Sequence, residues 1–443
     1  MALDRLQALL HANWGIRAQR LRALPSGHTN KSYLVEVDRG HAGRWALHRG
    51  GADTGAADRA HSLLILRISW PGKTMHQVQR EETLLAALGS HASLPAVPRP
   101  RATLDARPYV QAEGCWAHLF DCIPGRAGFP MHAPRAVAIR DIAAVAMRTL
   151  AHLHAAMGKI STSAAMPADV ADVADTVDLD IRRRVVLPGA VAHPVIWLAQ
   201  RHARVSSRPA PVLPEGLTRH YAEVMSRAAA HLAEAAASIP GPTGWLHGDY
   251  HAGNLLFSEA DGTGTRITGI LDFDDVGLGS PWLEAAFALF ALTRDTAVEH
   301  AFAYDANIWD LGLDAYATQR RASSHPGINM DTGTRAGADT KNKTESDTEA
   351  GTSPESMPLY LGMNRDALMT LFCIDQILIH LEAAQRGLWQ PGPGIGFLGC
   401  WHQLLKEPRS LNEAPSLNAP SPLNEAPSSS IRNASTVAGR ASP

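Results

Sequence analysis

Three residues near the middle of the chain carry side chains suited to phosphoryl transfer. Asp249 and Asn254 lie five residues apart in the segment HGDYHAGN, and Asp272 lies in the later segment ILDFDD. Transfer of a phosphoryl group to a hydroxyl needs a carboxylate that orients the hydroxyl and accepts its proton. It also needs hard oxygen ligands for Mg²⁺, which an Asp and an Asn can provide. These three side chains supply that set.

The segments around these residues predict a hairpin that brings them together. Residues 254–257 and 267–271 are short and β-like, and the polar run DGTGT between them is typical of a hairpin turn. Because a hairpin returns its two ends to one place, we expect Asp272 to lie near Asn254.

HGDYHAGN with a downstream LDFDD resembles the aminoglycoside phosphotransferase/choline kinase superfamily. The likeness is closest to its branch of type II homoserine kinases and RdoA-type stress-response serine/threonine kinases, and it covers roughly residues 20–300. The resemblance implies that Asp249 is the catalytic base and that Asn254 and Asp272 bind Mg²⁺. It also implies ATP as the donor. The acceptor hydroxyl stays open between homoserine, another small alcohol, an amino sugar and a protein serine or threonine.

The segment ILRISWPGK followed by QREETLLAAL resembles the third strand and the following helix of that family. The resemblance implies that Arg67, in place of the more general kinase lysine, contacts the nucleotide phosphates and pairs with a helix glutamate. We assign that glutamate to Glu81 rather than Glu82, because leucines follow Glu81 at +3, +4 and +7.

Two further segments complete the resemblance on the nucleotide side. LPSGHTNKSY, with Gly27, corresponds to the turn that covers the phosphates, and FDCIPGR corresponds to the hinge between the lobes. At the hinge, backbone groups of Asp121 and Ile123 are expected to contact adenine. After LDFDD, Glu284 stands near a position where the family often has Asp.

The order of patterns predicts an α+β, protein-kinase-like fold with a small antiparallel-sheet N-lobe and a larger, mainly helical C-lobe. Residues 1–22 predict an amphipathic helix. We place the N-lobe with this helix at 1–118 and the C-lobe at 119–406. The polar segment 323–356 predicts a disordered insertion, and the repetitive segment 407–443 predicts a disordered tail.

The overall composition excludes several classes of protein. The formal net charge is −2, so a basic surface for nucleic acid is not expected. The four cysteines are scattered, and no signal-peptide pattern begins the chain, so we expect a cytoplasmic protein. No uninterrupted apolar run of about 18 residues predicts a membrane span. The oligomeric state is not readable from the sequence.

Two other classes of function fit some of the same residues. A metal-dependent hydrolase would combine one group of polar residues into a metal site: His247, Asp249, His251, Asp272, Asp274 and Asp275. We expect His247 instead to hold the loop by hydrogen bonds. A non-catalytic nucleotide-binding pseudokinase is the other alternative, with Arg67 as the sign of a degraded site.

Several residues have a plain structural interpretation. Asp375 and Glu382 lie two helical turns apart and either line an acidic pocket for a cationic acceptor or face solvent. The segment Gly72-Lys73-Thr74 resembles the end of a P-loop, but Arg67 stands where the first glycine belongs, so we set this segment aside. His154, on an apolar helix, predicts a packing or surface residue.

Overall fold

A computed structural model gives the structure over ten stretches of the chain. It describes residues 3–24, 30–38, 61–127, 135–160, 194–238, 244–258, 266–293, 303–324, 365–387 and 395–406. Gly27 lies outside the described residues, as do the predicted tail at 407–443 and all but the first two residues of the predicted insertion at 323–356. Those first two residues are the end of a helix.

The N-terminal lobe is a five-stranded antiparallel sheet with two helices. The strands are β1 (Arg20–Ala23), β2 (Lys31–Asp38), β3 (His61–Ile68), β4 (Val110–Ala112) and β5 (Cys115–Asp121), and the helices are α1 (Leu3–Trp14) and α2 (Met75–Leu88). The strands lie in the order β1-β2-β3-β5-β4. The five strands therefore form one continuous antiparallel sheet in this lobe.

Helix α1 covers one face of this sheet. Leu6, Leu10 and Trp14 are buried against apolar residues of β2, β3 and β5. The helix is shorter than the predicted 1–22, because Gly15 takes a φ of +65° and the chain then continues as β1. Residues 20–23 pair with β2, and this pairing is a tertiary contact that helical spacing cannot reveal.

Helix α2 begins with a capping box. Thr74 accepts from the backbone N–H of Gln77, and the Gln77 side chain accepts in return from the backbone N–H of Thr74. The leucines at 84, 85 and 88 are buried in the main core, which also contains the helices of the C-lobe. The helix therefore packs against the C-lobe while carrying two buried charged residues, Arg80 and Glu81.

The C-terminal lobe is mainly helical with two small β units. Its helices are α3 (Arg135–Met157), α4 (Pro194–Ser206), α5 (Glu215–Thr218), α6 (Tyr221–Ser238), α7 (Pro281–Thr293), α8 (Ala306–Ser324), α9 (Arg365–Gln385) and α10 (Ile395–Leu405). Its strands are β6 (Arg126–Ala127), β7 (Gly244–Leu246), β8 (Leu255–Phe257), β9 (Ile267–Ile270) and β10 (Gly277–Gly279). The predicted α+β, two-lobe, kinase-like architecture is confirmed.

The two lobes meet along backbone hydrogen bonds as well as side chains. The Ala96 N–H donates to the Thr268 carbonyl at 3.0 Å, and the Ala96 carbonyl accepts from the Ile270 N–H at 2.9 Å. The predicted boundary between residues 118 and 119 falls inside β5, because Phe120 and Asp121 still pair with β3. The connection to the C-lobe therefore begins after Asp121.

Among the described residues, helix α9 is the one element long and apolar enough to cross a membrane. Of its most apolar window, 67% is buried inside the protein, and it packs against α4, α7 and α10. The core helix of a folded domain passes the same test of length and composition. The absence of a membrane span therefore stays a prediction.

Candidate active site

His247 fixes the start of the loop between β7 and β8. Its ring Nε2 donates to the Leu271 carbonyl at 2.9 Å, and its Nδ1 accepts from the backbone N–H of Asp249 at 3.3 Å. Burial lowers the pKa of His247, and the neutral ring has one donor and one acceptor for these two bonds. The side chain thus ties Asp249 to the residue that precedes Asp272.

Asp249 presents a half-exposed carboxylate held from two sides. Asn254 Nδ2 donates to its Oδ2 at 3.1 Å, and His251 Nε2 lies 3.4 Å from the same oxygen. Burial opposes ionisation, but the hydrogen bond and charge of His251, with smaller effects from His247 and Asn254, keep the pKa of Asp249 below its ordinary value. An ionised carboxylate in this position can accept a proton from a bound hydroxyl.

The pairing of β8 with β9 brings Asn254 to Asp272. The Leu271 N–H donates to the Asn254 carbonyl at 2.8 Å, and Leu255 pairs with Ile270. The DGTGT turn itself lies outside the described residues. Asp272 has a φ of +59°, a conformation that a residue other than glycine keeps only where its surroundings hold it.

Asp272 lies in a cluster of charges at the junction of the lobes. Asn30 Nδ2 is 3.4 Å and Arg67 Nη1 is 3.8 Å from its Oδ1. Burial and the negative charge of Asp274 raise the pKa of Asp272 to about 6, against the opposing effect of Arg67. A cation bound nearby would offset both effects and favour the ionised carboxylate.

The predicted pair of Arg67 and Glu81 is formed. Arg67 Nη2 donates to Glu81 Oε1, and the Arg67 guanidinium lies over the Phe120 ring, 5.0 Å from its centre. Burial opposes ionisation of Glu81, but Arg67 and Lys73 lower its pKa to about 2. Glu82 instead faces His118, at 3.3 Å, so the structure agrees with the choice of Glu81.

Lys73 is the main residue that the sequence analysis missed. Its Nζ lies 2.6 Å from Glu81 Oε2 and 2.6 Å from Asp274 Oδ1, and its side chain is 1% exposed. A usable signal was present, because Lys73 precedes the helix cap and stands eight residues, about two turns, before Glu81. The neighbouring Gly72 and Thr74 resemble the end of a P-loop and make this spacing less conspicuous.

Glu284 holds the start of the loop between β7 and β8 (residues 247–254), which is the predicted catalytic loop. Its carboxylate accepts from the backbone N–H groups of His247 at 3.1 Å and Gly248 at 2.5 Å, and from His154 Nε2 at 2.6 Å. His154 in turn accepts from the Tyr316 hydroxyl at 2.6 Å. The expected packing role of His154 was therefore incomplete, because the ring also orients the carboxylate that holds the loop.

The backbone of Asp275 lies against Gly248. A side chain at Gly248, which has a φ of +87°, would place its Cβ 2.0 Å from the Asp275 carbonyl oxygen, so glycine is required there. More than a third of the residue's surface is exposed, although its carboxyl group lies among many protein atoms. Desolvation there and the charges of Asp249 and Asp274 raise the pKa of Asp275 to about 7.

Asp375 and Glu382 face the protein interior rather than open solvent. Arg201 Nη1 lies 3.2 Å from Asp375 Oδ1, and Arg201 Nε lies 3.4 Å from Glu382 Oε2. Burial, with the charge of Asp249, raises the pKa of Asp375 to about 6 despite Arg201. Because one guanidinium already pairs with both carboxylates, the contacts favour a link between α4 and α9 over an open acidic pocket.

The hinge residues lie where the lobes connect, as expected from the sequence. Asp121 ends β5, and its carboxylate accepts from Arg101 Nε at 2.7 Å. The next N–H, of Cys122, donates to the Leu63 carbonyl at 3.3 Å, and Ile123 packs beside Gly269. Backbone contact of Asp121 and Ile123 with adenine stays a prediction.

The donor set fits a hard divalent cation beside a nucleotide. Asn254 uses its amide nitrogen on Asp249, so its oxygen is the atom it can present to a metal. Burial, with the charge of Asp274, raises the pKa of Asp272, and a bound cation would offset both effects. Mg²⁺ prefers such oxygen ligands and needs only one or two from the protein.

The geometry does not favour the metal-dependent hydrolase. Both ring nitrogens of His247 are used within the protein, and His251 Nδ1 accepts from the Gly253 N–H at 3.0 Å. In the stretches that the structure describes, no group of three or more His, Cys, Asp or Glu residues is arranged to hold a metal ion. The proposed hydrolase cluster is therefore not assembled.

A two-lobe, kinase-like fold with a histidine-anchored Asp loop and a facing Arg–Glu pair defines a phosphotransferase of the kinase class. The family model for the phosphotransferase enzyme family (APH) matches residues 20–317, more than half of the chain. The chain belongs to this family, and it is a kinase. The family match does not distinguish the homoserine kinase and RdoA-type branch, which stays a prediction.

Solved structures of low sequence identity also align with this chain. Macrolide 2′-phosphotransferase MphH from Brachybacterium faecium is 18% identical, over 73% of this chain and 88% of that chain, with a TM-score of 0.40. The microcompartment-associated aminopropanol kinase is 16% identical, over 91% and 95%, with a TM-score of 0.49. Choline kinase from Cryptosporidium parvum Iowa II is 11% identical, over 91% and 94%, with a TM-score of 0.46. No curated protein matched the chain.

Proposed function

We propose that the protein transfers the γ-phosphoryl group of ATP to a hydroxyl of a small molecule, in a Mg²⁺-dependent reaction. The convergence of Asp249, Asn254 and Asp272 opposite the buried Arg67–Glu81 pair carries this proposal. Family membership supports phosphoryl transfer, and the acceptor class is our inference. Homoserine and amino-sugar-like alcohols are the first acceptors to test, with a protein serine or threonine as the alternative.

Each residue has a defined part in the proposed reaction. Asp249 accepts the proton of the acceptor hydroxyl as the oxygen attacks the γ-phosphorus, and ADP leaves as the bond between the β- and γ-phosphates breaks. Arg67 contacts the phosphates. Asn254 and Asp272 would hold Mg²⁺, which, when bound, supplies positive charge to the phosphate oxygens.

The pseudokinase alternative is less well supported than catalysis. Arg67 occupies the strand position of the usual lysine, yet it makes the ion pair with Glu81 that an active kinase needs. The base and both proposed metal ligands are also present. A pseudokinase would bind nucleotide without transferring its phosphoryl group.

Thermal unfolding with ATP, with and without Mg²⁺, tests nucleotide binding. A ligand that binds the folded state raises stability by RT ln(1 + [L]/Kd). We expect ATP with Mg²⁺ to raise the Tm of the wild type, and Asp272→Ala to lose most of that shift. Asp314→Ala, at an exposed position on α8, is the matched control. No shift with ATP alongside a strong shift with Zn²⁺ or Mn²⁺ would overturn the proposal in favour of the hydrolase.

Turnover tests the catalytic base. ADP formation is measured against a panel of homoserine, small alcohols, amino sugars and serine-containing peptides. Asp249→Asn should lower the rate by about 10²–10⁴-fold while Mg²⁺-dependent ATP binding is retained. Unchanged turnover in this variant would exclude Asp249 as the base, and binding without turnover in the wild type would favour the pseudokinase.

A further inference from the structure

Lys73 joins the two lobes at the centre of the site. It precedes helix α2 of the N-lobe, yet its Nζ is 2.6 Å from Oδ1 of Asp274 in the C-lobe. The same ammonium lies 2.6 Å from Glu81 Oε2. Asn30, just before β2, donates to the other oxygen of Asp274 at 2.6 Å. Both oxygens of this C-lobe carboxylate are therefore held by N-lobe side chains.

Asp274 is connected to Asp272 by a short and rigid piece of chain. The residue between them, Phe273, is fully buried and packs against the His247 ring, with centroids 4.6 Å apart. The positive φ of Asp272 is an uncommon backbone conformation outside glycine, and neighbouring contacts help to keep it. Holding the side chain of Asp274 and the ring of Phe273 therefore restrains the backbone that aims the Asp272 carboxylate.

The two cations at this site are not equivalent. Arg67 reaches Glu81 directly but stays 3.8 Å from Asp272 and 3.7 Å from Asp274, beyond hydrogen-bonding distance. The Lys73 side chain is completely enclosed, and its contacts are with Glu81 and Asp274. This arrangement leaves Arg67 as the cation nearer to the metal-binding carboxylate.

We propose that Lys73 is a positioning residue that locks Asp274 to helix α2 and thereby holds Asp272 for the nucleotide-bound metal. Arg67 is then the residue that contacts the phosphates. This inference rests on the proposed function for its role in nucleotide binding. The lobe-joining contact itself does not depend on any activity.

The first test is calorimetric binding of AMP-PNP, with and without Mg²⁺. Residues that orient metal ligands typically change affinity by 10–100-fold when removed. We expect Lys73→Met to weaken Mg²⁺-dependent AMP-PNP binding by about 10–100-fold and to leave metal-free binding near that of the wild type. Lys159→Met, at an exposed position after α3, is the matched control. Equal weakening with and without Mg²⁺ would overturn the positioning role, because it would indicate direct contact with the phosphates.

The second test asks whether Lys73 acts through Asp274. Because the two side chains touch, their effects should not combine independently. We expect the affinity of the double variant Lys73→Met/Asp274→Asn for AMP-PNP with Mg²⁺ to equal or exceed that of whichever single variant has the lower affinity. Multiplication of the two single effects would overturn the inference.

Urea unfolding without nucleotide keeps this inference separate from the proposed function. Asp274→Asn is introduced into the wild type and into Lys73→Met, and the fold-change in the unfolding equilibrium constant is measured in each. We expect these two fold-changes to differ by a factor of about 5 or more. If the wild type binds no AMP-PNP, the proposed function fails while this coupling still tests the contact. Independent effects would overturn the lobe-joining contact. Lys73→Gln replaces Lys73→Met in all three experiments if the latter does not fold.

Discussion

Two buried glutamates support the site from opposite sides and are stabilised in different ways. Glu81, on α2, is paired with the cations Arg67 and Lys73. Glu284, on α7, accepts two backbone N–H groups of the catalytic loop and the ring of His154. Burial opposes ionisation of both, yet the pKa of each is lowered, to about 2 for Glu81. The donors around each carboxylate therefore outweigh its desolvation.

The side of the site around Glu81 is held by paired charges, whereas the side around Glu284 is held mainly by hydrogen bonds to the backbone. Around Glu81 every partner is a charged side chain, so loss of one member leaves another charge buried without its partner. Around Glu284 the loop amides and the His154 ring are neutral, so loss of the carboxylate leaves unsatisfied but uncharged donors. The N-lobe side should consequently be the more sensitive to the removal of one charge.

The largest expected effect is that of Glu81→Gln. Removing one partner of a buried ion pair costs about 3–5 kcal/mol of unfolding free energy, because the remaining charges stay buried. We expect a loss of this size in urea unfolding at pH 7. Glu215→Gln, at an exposed position on α5, is the control and should change stability by less than about 0.5 kcal/mol. A loss below about 1 kcal/mol for Glu81→Gln would contradict the conclusion that the Glu81 side of the site is the more sensitive to the removal of one charge.

Glu284→Gln should cost less. The amide still offers one oxygen to the loop, but its NH₂ group faces a donor, and a buried unsatisfied donor costs about 1–3 kcal/mol. The catalytic loop should also lose its fixed position, so turnover should fall while Mg²⁺-dependent ATP binding changes little. Urea unfolding and the turnover assay measure the two effects. A stability loss equal to that of Glu81→Gln would remove the distinction between the two sides.

Asp275 differs from both glutamates, because its pKa is raised rather than lowered. Its pKa is raised to about 7, mainly by desolvation and then by Asp249 and Asp274. The unfolded chain releases this proton near the ordinary value of 3.8, so the folded state binds more protons between these values. The contribution of Asp275 to the free energy of unfolding should therefore fall as pH rises from about 4 to about 7.

The pH dependence of Asp275→Asn provides the measurement. At each pH, the free energy of unfolding of the variant, measured in urea, is subtracted from that of the wild type. The difference is the contribution of the Asp275 carboxylate. The difference should decrease with rising pH over that range and level off above about pH 8, once the folded-state carboxylate is ionised. A difference that rises with pH would contradict the raised pKa.

Arg80→Met should have the smallest effect, although Arg80 adjoins Glu81. Its Nε and Nη2 atoms are buried without a hydrogen-bond partner, and burial lowers its pKa to about 10. Replacing a buried charge that lacks direct partners by an apolar side chain of similar length should leave unfolding free energy unchanged or raise it by up to about 1 kcal/mol. A loss near that of Glu81→Gln would show that burial alone, not pairing, decides the sensitivity of the N-lobe side.

The sequence was most informative where function depends on neighbours along the chain. The five-residue spacing of Asp249 and Asn254 and the short β segments on either side predicted a hairpin, and the pairing of β8 with β9 places Asp272 beside Asn254. Helical spacing selected Glu81 over Glu82, and the structure pairs Glu81 with Arg67. The hairpin and the helical spacing are local features that a pattern of residue types can reveal, whereas the pairing with Arg67 was implied by the family resemblance.

Contacts between distant segments required the tertiary structure. Lys73 meets Asp274 across 201 positions of the chain, and His154 meets Glu284 across 130. Neither contact produces a periodicity or a short motif in the amino-acid sequence. Each exists because packing of the two lobes, or of α3 against α7, buries a carboxylate that must then find a donor. The sequence therefore determined which residues can do the chemistry and indicated that His247 holds their loop, and only the folded arrangement decided which other residues hold them in place.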